Sequence, residues 1–221
     1  MDGQRLTRRR VLKWSAGLGG LAVLSPAAGS ATQPLRRTPN QTAGPFYPSV
    51  KPLDTNADLT RVAGRSERAS GQIVHLTGRV LNRDGAPVPG ASVEIWQANA
   101  HGRYAHPADS SPAPLDPNFQ GFALQTTDAE GRYRFTTIKP AAYHTSPGGD
   151  WIRPPHIHFA VTGNDDRVVT QMYFPDEPLN DRDGILLALG DAKDSVIATL
   201  MPPPEGMEAG SLVAVWDVVV G

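Results

Sequence analysis

His156 and His158 are separated by a single residue in the run Arg-Pro-Pro-His-Ile-His-Phe, residues 153–159. The run reads as the start of a strand, and on a strand side chains two apart point to the same face, so both imidazoles are presented together. Two imidazoles on one face make half of a transition-metal site, with little preference among zinc, copper, iron and nickel. Two tyrosines in the Gly- and Pro-rich stretches upstream, Tyr104 and Tyr143, are candidates for the other half. A phenol has an ordinary pKa near ~10 and ligates at neutral pH only where the metal draws off its proton, which a trivalent ion does better than a divalent one. Two phenolates and a hydroxide sum to three negative charges, the balance that suits Fe(III).

Residue types and spacing leave two other sites open. A zinc hydrolase would need a third histidine or a carboxylate, and His101, His106, His144, Asp150 and Asp165 each offer one. A ferrous oxygenase built on two histidines and one carboxylate draws on the same residues. The chain has no cysteine, which excludes thiolate ligands and disulfides.

These residues must be positioned by strands. Residues 73–81 and 91–97 alternate apolar and polar side chains and are joined by the turn-rich stretch 82–90, which predicts a strand pair. Further strands are expected at 131–138, 156–162, 167–174 and 212–219, and residues 183–200 read as an amphipathic, irregular helical segment. Short strands at regular spacing with Gly and Pro between them predict a mainly β fold, an antiparallel β-sandwich. Two long connections interrupt it, from 98 to about 122 with Tyr104 and from 139 to 155 with Tyr143. Loops of that length inside a compact domain are usually functional or disordered.

Residues 32–72 are rich in Pro, Thr, Asn, Arg and Gly, and read as an extended arm lying over the domain or over a neighbouring subunit. Their dense patch, Thr42 to Pro48, is either a Pro-braced turn with an apolar anchor or a wall of the site, with Tyr47 against substrate. Upstream, Arg8-Arg9-Arg10 precedes a short, Gly-containing apolar stretch and a small-residue region. That order is the pattern of a twin-arginine export signal over residues 1–31, and the stretch is too short to span a membrane. The expected destination is the periplasm or the exterior.

Loss of residues 1–31 would remove five basic residues and one acidic residue, a net of +4, taking the formal charge from −1 to −5. The chain that remains, the arm of residues 32–72 and a sandwich domain of residues 73–221, is mildly acidic and no partner for nucleic acid or for an anionic membrane.

Several runs together carry a family resemblance. Gly102-Arg103-Tyr104, Pro114 to Phe119, Thr127-Asp128, Gly131 to Phe135, Thr137 to Pro140, Tyr143 and Arg153 to Phe159 resemble the intradiol ring-cleavage dioxygenases. The likeness is strongest to the branch of the iron-bearing protocatechuate 3,4-dioxygenase subunit. Pro87 to Gly90 and Glu94 to Asn99 belong to the same resemblance, which covers roughly residues 42–220.

The resemblance implies a non-haem Fe(III) on a β-sandwich, held by Tyr104 and His156 as equatorial ligands and by Tyr143 and His158 as axial ones. It also implies that Tyr143 gives way to a bound catechol and carries off a proton. Attack of O₂ on the ring then leads through a cyclic anhydride to a cis,cis-muconate. Arg153 matches the arginine that stabilises negative charge on the ring, and Gln171 a residue near the ligand histidines and the oxygen side of the pocket. The implied partners are a small aromatic diol and O₂, within a homo-oligomer or beside a second subunit that completes the pocket.

The chain departs from the protocatechuate branch after Tyr143, where His144-Thr145-Ser146 stands in place of Pro-Trp-Arg and removes an aromatic wall. A non-catalytic sandwich of the transthyretin or carboxypeptidase-regulatory type would account for residues 78–94 but not for the four candidate ligands.

Overall fold

The computed structural model describes residues 33–48, 50–51, 55–163 and 165–221. The expected export segment, residues 1–31, lies outside the described residues. The chain forms β1 (Ile73–Asn82), β2 (Ser92–Trp96), β3 (Phe122–Thr126) and β4 (Arg132–Ile138), then the short strands β5 (Tyr143–His144) and β6 (Ile152–Arg153). The hairpin of β7 (His156–Gly163) and β8 (Asp166–Tyr173) follows. After a stretch containing the four-residue α1 (Gly184–Leu187), the chain closes with β9 (Thr199–Met201), β10 (Leu212–Val215) and β11 (Val218–Val220).

These strands make two main sheets. In the first, β1 pairs with β4 on one side and with β10 and β11 on the other, and β9 extends the sheet beyond β10. The second has the order β3-β2-β7-β8 and is antiparallel throughout. The first is mixed, since β1 runs parallel to both β10 and β11, where an antiparallel sandwich was expected.

The expected pairing of β1 with β2 is also corrected, because the two lie in different sheets. Pro87 bridges back to Leu81, and the Val88 N–H donates to the Val80 carbonyl at 2.9 Å. The chain then crosses to the second sheet, where Thr127 Oγ1 accepts from the Ala91 N–H at 2.9 Å and donates to the Val88 carbonyl at 2.7 Å.

The expected strand 212–219 is broken at Trp216 and Asp217, although β10 and β11 keep one register against β1. There the Trp216 carbonyl accepts from the Tyr133 hydroxyl at 2.5 Å, and Asp217 accepts from the Arg79 N–H at 2.8 Å. Position 78 must be glycine, since a Cβ would sit 1.7 Å from the Trp216 oxygen.

Side-chain alternation divides β7 between two environments. Ile157, Phe159 and Val161 enter the core between the sheets with Val93, Ile95 and Phe135, while His156, His158 and Ala160 are buried on the opposite face. Each large apolar side chain of the inner set contributes about 1.5–3 kcal/mol by burial. A strand buried on both faces means that the outer face of its sheet is itself covered.

The cover comes from the long loops and from the segment before β1. Gln41 N–H donates to the Val169 carbonyl at 2.7 Å, and the side chains of Asn40 and Gln41 accept from the N–H groups of Val169 and Gln171. Arg37 pairs with Asp166 through two bonds of 2.9 Å. Further along, Ala57 and Leu59 bond to Thr136 on the edge of the first sheet. The irregular segment after β8 consists of 3-10 turns at Pro178–Arg182 and Gly190–Val196 flanking α1, whose first turn is capped by Asp183.

Candidate metal centre

Four rings close a circuit on the outer face of the second sheet. Their centroids are 4.8 Å apart between His156 and His158, 6.2 Å between His158 and Tyr104, 5.4 Å between Tyr104 and Tyr143, and 5.7 Å between Tyr143 and His156. Register explains the histidines. His158 lies between Trp96 on β2 and Gln171 on β8, and His156 lies opposite Tyr173, so all of these side chains share one face. Trp96 stacks on His158 with centroids 4.9 Å apart and planes within 9°, and Tyr173 stacks on His156 at 5.8 Å.

The tyrosines arrive on loops. Asn99 Oδ1 ties down the loop of residues 98–121 by accepting from the N–H groups of His101 and Arg103, and Asp109 accepts from the Tyr104 N–H at 2.7 Å. Gly102 has φ +77°, and a Cβ there would lie 2.6 Å from the Ala142 carbonyl, so glycine is what lets the two tyrosine-bearing segments meet. Tyr143 is held by pairing of β5 with β6, opposite Arg153. Phe46 stacks on Tyr104 at 4.5 Å and closes the far side.

The donors suit a cation. His156 Nδ1 lies 2.6 Å from the Pro154 carbonyl, so the proton resides on Nδ1 and Nε2 carries a bare lone pair. That Nε2 is 3.2 Å from His158 Nε2. Two lone pairs at that separation repel unless a proton or a metal lies between them, and two nitrogens bound about 2.1 Å from one ion at a right angle would be about 3.0 Å apart. The Tyr104 hydroxyl is buried without a hydrogen-bond partner, as is His158 Nδ1. An orphaned buried phenol beside two inward-facing imidazole nitrogens is what a metal ligand set looks like without its ion.

Burial pushes His156 down to about 3, helped by the Arg153 charge and opposed by the bond to Pro154. His158 is pushed well below the ordinary value by burial, then by His156 and Arg153. Both imidazoles are therefore neutral at physiological pH, the ligating form. Burial raises Tyr104 well above an ordinary phenol, with Tyr143 adding to the effect, and burial likewise raises Tyr143. Arg153 opposes both rises. One guanidinium thus favours the ligating protonation state of all four rings, but the phenols need a stronger cation to ionise.

Arg153 is itself 4% exposed. Its Nε and Nη2 lie 3.0 and 3.1 Å from the carboxylate of the fully buried Asp183, and Nη2 also donates to Gln171 Oε1 at 2.6 Å and to the Tyr173 hydroxyl at 3.0 Å. Gln171 completes the brace by donating from Nε2 to the Thr42 carbonyl at 2.9 Å. Beside the rings lies a cavity of about 270 Å³. Its polar lining is Thr42, Tyr143, Thr145, Arg153 and His158, and Phe46, Trp151 and Ile185 are among its apolar walls.

Tyr47 is a correction. It does not line this cavity; its hydroxyl donates to Glu94 at 2.7 Å, and its ring packs against Trp96 at 4.8 Å. Its neighbour Phe46 takes the wall position instead. The alternative carboxylate or third-histidine ligands are not gathered either. His101, His144, Asp150 and Asp165 are exposed, His106 packs near Phe46 at 5.9 Å, and no group of three or more His, Cys, Asp or Glu able to hold a metal occurs among the described residues. Trp96, Tyr173 and Asp183 were not singled out from sequence. Only the parity of strand positions could have pointed to Trp96, two residues after the buried Glu94.

Known proteins share this arrangement of the chain. Residues 42–220 match the family described as dioxygenase. The protocatechuate 3,4-dioxygenase β chain of Burkholderia cepacia is 45% identical over 170 residues, covering 75% of this chain and 72% of the relative. Catechol 1,2-dioxygenase 1 of Acinetobacter lwoffii is 34% identical over 161 residues, covering 64% of this chain, which spans 48% of that relative's length. Among solved structures, 3-chlorocatechol 1,2-dioxygenase from Rhodococcus opacus 1CP has the same fold, with a TM-score of 0.67 at 21% identity, covering 86% of this chain and 74% of that one. A mainly β fold, a match over most of the chain and a relative close to half identical agree: the chain belongs to the intradiol ring-cleavage dioxygenase family.

Proposed function

We propose that the chain is a non-haem Fe(III) intradiol dioxygenase, cleaving a catechol-type ring between its two hydroxyl-bearing carbons with O₂ to give a cis,cis-muconate. The observation that carries this reading is the pair of His Nε2 atoms 3.2 Å apart beside the unpartnered Tyr104 hydroxyl, opening onto a cavity with a buried guanidinium. Tyr104, Tyr143, His156 and His158 would hold the ion. A ferric ion bound there would draw electron density from the diol and ready a ring carbon for O₂.

The chain's own residues divide the remaining work. Tyr104 is 3% exposed and walled in by Phe46, so it is the fixed phenol, whereas Tyr143 is only partly buried and faces the cavity. Tyr143 Oη is thus the atom placed to take a proton from an entering diol. Arg153 presents a permanent positive charge at the cavity, where negative charge would gather on the ring, beside the apolar side chains of Phe46 and Ile185. Gln171 acts through Arg153, since both ends of its amide are committed to the brace. Trp96 fixes the plane of His158.

Purified, iron-replete protein is expected to be coloured by tyrosinate-to-metal charge transfer, with a band that shifts when catechol is added under nitrogen. Stoichiometric iron, a shifting band and a ring-opened dicarboxylate on admitting O₂ support the proposal; a colourless protein indifferent to catechol sinks it. The proposal extends to export. Arg8-Arg9-Arg10 ahead of an apolar stretch supports periplasmic or secreted placement, and a tagged full-length chain confined to the cytoplasm would refute it. The relative of 45% identity is named as one chain of its enzyme, which supports assembly with further copies or with a second subunit; a monomer with full activity would rule that out.

A further inference from the structure

We infer that the cavity beside the four rings selects catechols whose ring substituent is uncharged, such as alkyl or halogen groups, and discriminates against a carboxylate. The inference rests on the intradiol reading above and names the substrate class of the same site. It runs against the name of the Burkholderia cepacia β chain, because protocatechuate carries a carboxylate on its ring.

Charge is the first argument. Among the described residues, Arg153 is the only Lys or Arg lining the cavity. Its Nε and Nη2 already face the Asp183 carboxylate, and Nη2 also reaches Gln171 and Tyr173. Asp183 is fully buried, so the charge of Arg153 is already divided between this carboxylate and the diol end of the substrate. A substrate carboxylate placed near them would add an anion without a cation left over to balance it, and unbalanced charge in a desolvated site is costly.

The rest of the lining supplies the second. It includes Thr145, which is exposed, with Trp151 and Ile185. The Thr145 hydroxyl is turned to the Trp151 carbonyl at 3.3 Å, so its proton is committed. Trp151 leaves 45% of its surface exposed, apolar area that a methyl or chloro group would cover. The Arg153 guanidinium lies over that ring, 5.9 Å from its centroid, so the one cation of the lining is engaged by the indole as well. Asp150, exposed and next in the chain to Trp151, lines the adjoining cavity together with Asp109, so the charge added on that side is negative.

The test uses the purified, iron-loaded chain. Steady-state cleavage is compared for catechol, 4-methylcatechol, 4-chlorocatechol and protocatechuate, and calorimetry compares binding of p-cresol and 4-hydroxybenzoate, monophenols without the second hydroxyl. The kcat/KM for 4-methylcatechol is expected to exceed that for protocatechuate by about tenfold or more, with p-cresol favoured over 4-hydroxybenzoate by a similar factor. Thr145→Arg, which adds a cation at an exposed position, should narrow both gaps; gaps that stay unchanged overturn the inference. Preference for protocatechuate, or equal binding of the two monophenols, also overturns it while leaving the intradiol reading intact. Cleavage of none of the diols overturns that reading, and the inference with it.

Discussion

The two histidines and the two tyrosines meet at one point by different routes. The histidines belong to β7, paired on one side with β2 and on the other with β8, so their positions follow from the ladder of a central strand. The tyrosines belong to loops whose shapes depend on a few side chains, among them Asn99 and Asp109, and on Gly102. On the proposed reading, the strand would supply half of a metal site in fixed geometry, and the loops the half that would decide which metal binds and which substrate enters. Tyr143, partly buried at the cavity, is on that reading the member placed to give way to substrate, whereas the histidine pair is fully buried.

Three substitutions probe that division. His158→Ala removes a ligand from the rigid half and leaves the lone pair of His156 without a counterpart. It should abolish iron retention and lower kcat/KM by more than the ~100-fold typical of losing a partner to a ligand. Iron analysis and turnover check it, and retention of full iron would show that the strand half is dispensable.

Tyr143→Phe touches the mobile half. It should keep most of the iron, shift the visible band and slow diol binding and cleavage by about a hundredfold, the usual worth of a positioned proton acceptor. Stopped-flow mixing with catechol reads the binding step directly, and a wild-type rate would remove Tyr143 from the proton-accepting role.

Gly102→Ala disturbs only the support of a loop. The left-handed backbone costs roughly 1–2 kcal/mol for an alanine, before the clash with the Ala142 carbonyl. The melting temperature should fall by about 3–8 °C. Activity should drop by less than in Tyr143→Phe while iron stays bound. Loss of the iron instead would mean that the loops hold the metal as firmly as the strand.

Much of the site was legible because its residues carry chemistry at short range. His-x-His on a strand needs only the two-residue repeat to place both rings together, and Tyr104 and Tyr143 stood out in loops too long to be mere connectors. The resemblance tied the four together, and the structure brings their rings within 4.8–6.2 Å around a closed circuit.

What stayed hidden depends on contacts between distant segments. The alternation of β1 and β2 is the same whether two strands are neighbours or face each other across a core, so their placement in separate sheets left no local trace. β3 has no counterpart among the expected strands, because Phe122–Thr126 is short and follows the irregular chain that ends at about residue 122. That Phe46 and not Tyr47 lines the cavity had no signal, because direction in a Pro-braced turn cannot be told from composition, and one position decides which ring faces the cavity. Asp183 reads from sequence as the first residue of an amphipathic helical segment; only the fold brings it 3.0 Å from Arg153.

The way Asn40 and Gln41 lie along β8 has a bearing on solubility. β8 is the last strand of its sheet, and the N–H groups of Val169 and Gln171 find their acceptors in these two side chains. A chain trimmed past Thr42 would leave that row of donors open beside the histidine-bearing strand. Open edges recruit strands from other molecules. Residues 37–42 therefore act as an edge guard, and any maturation of the N-terminus compatible with a dispersed, working protein must stop before them.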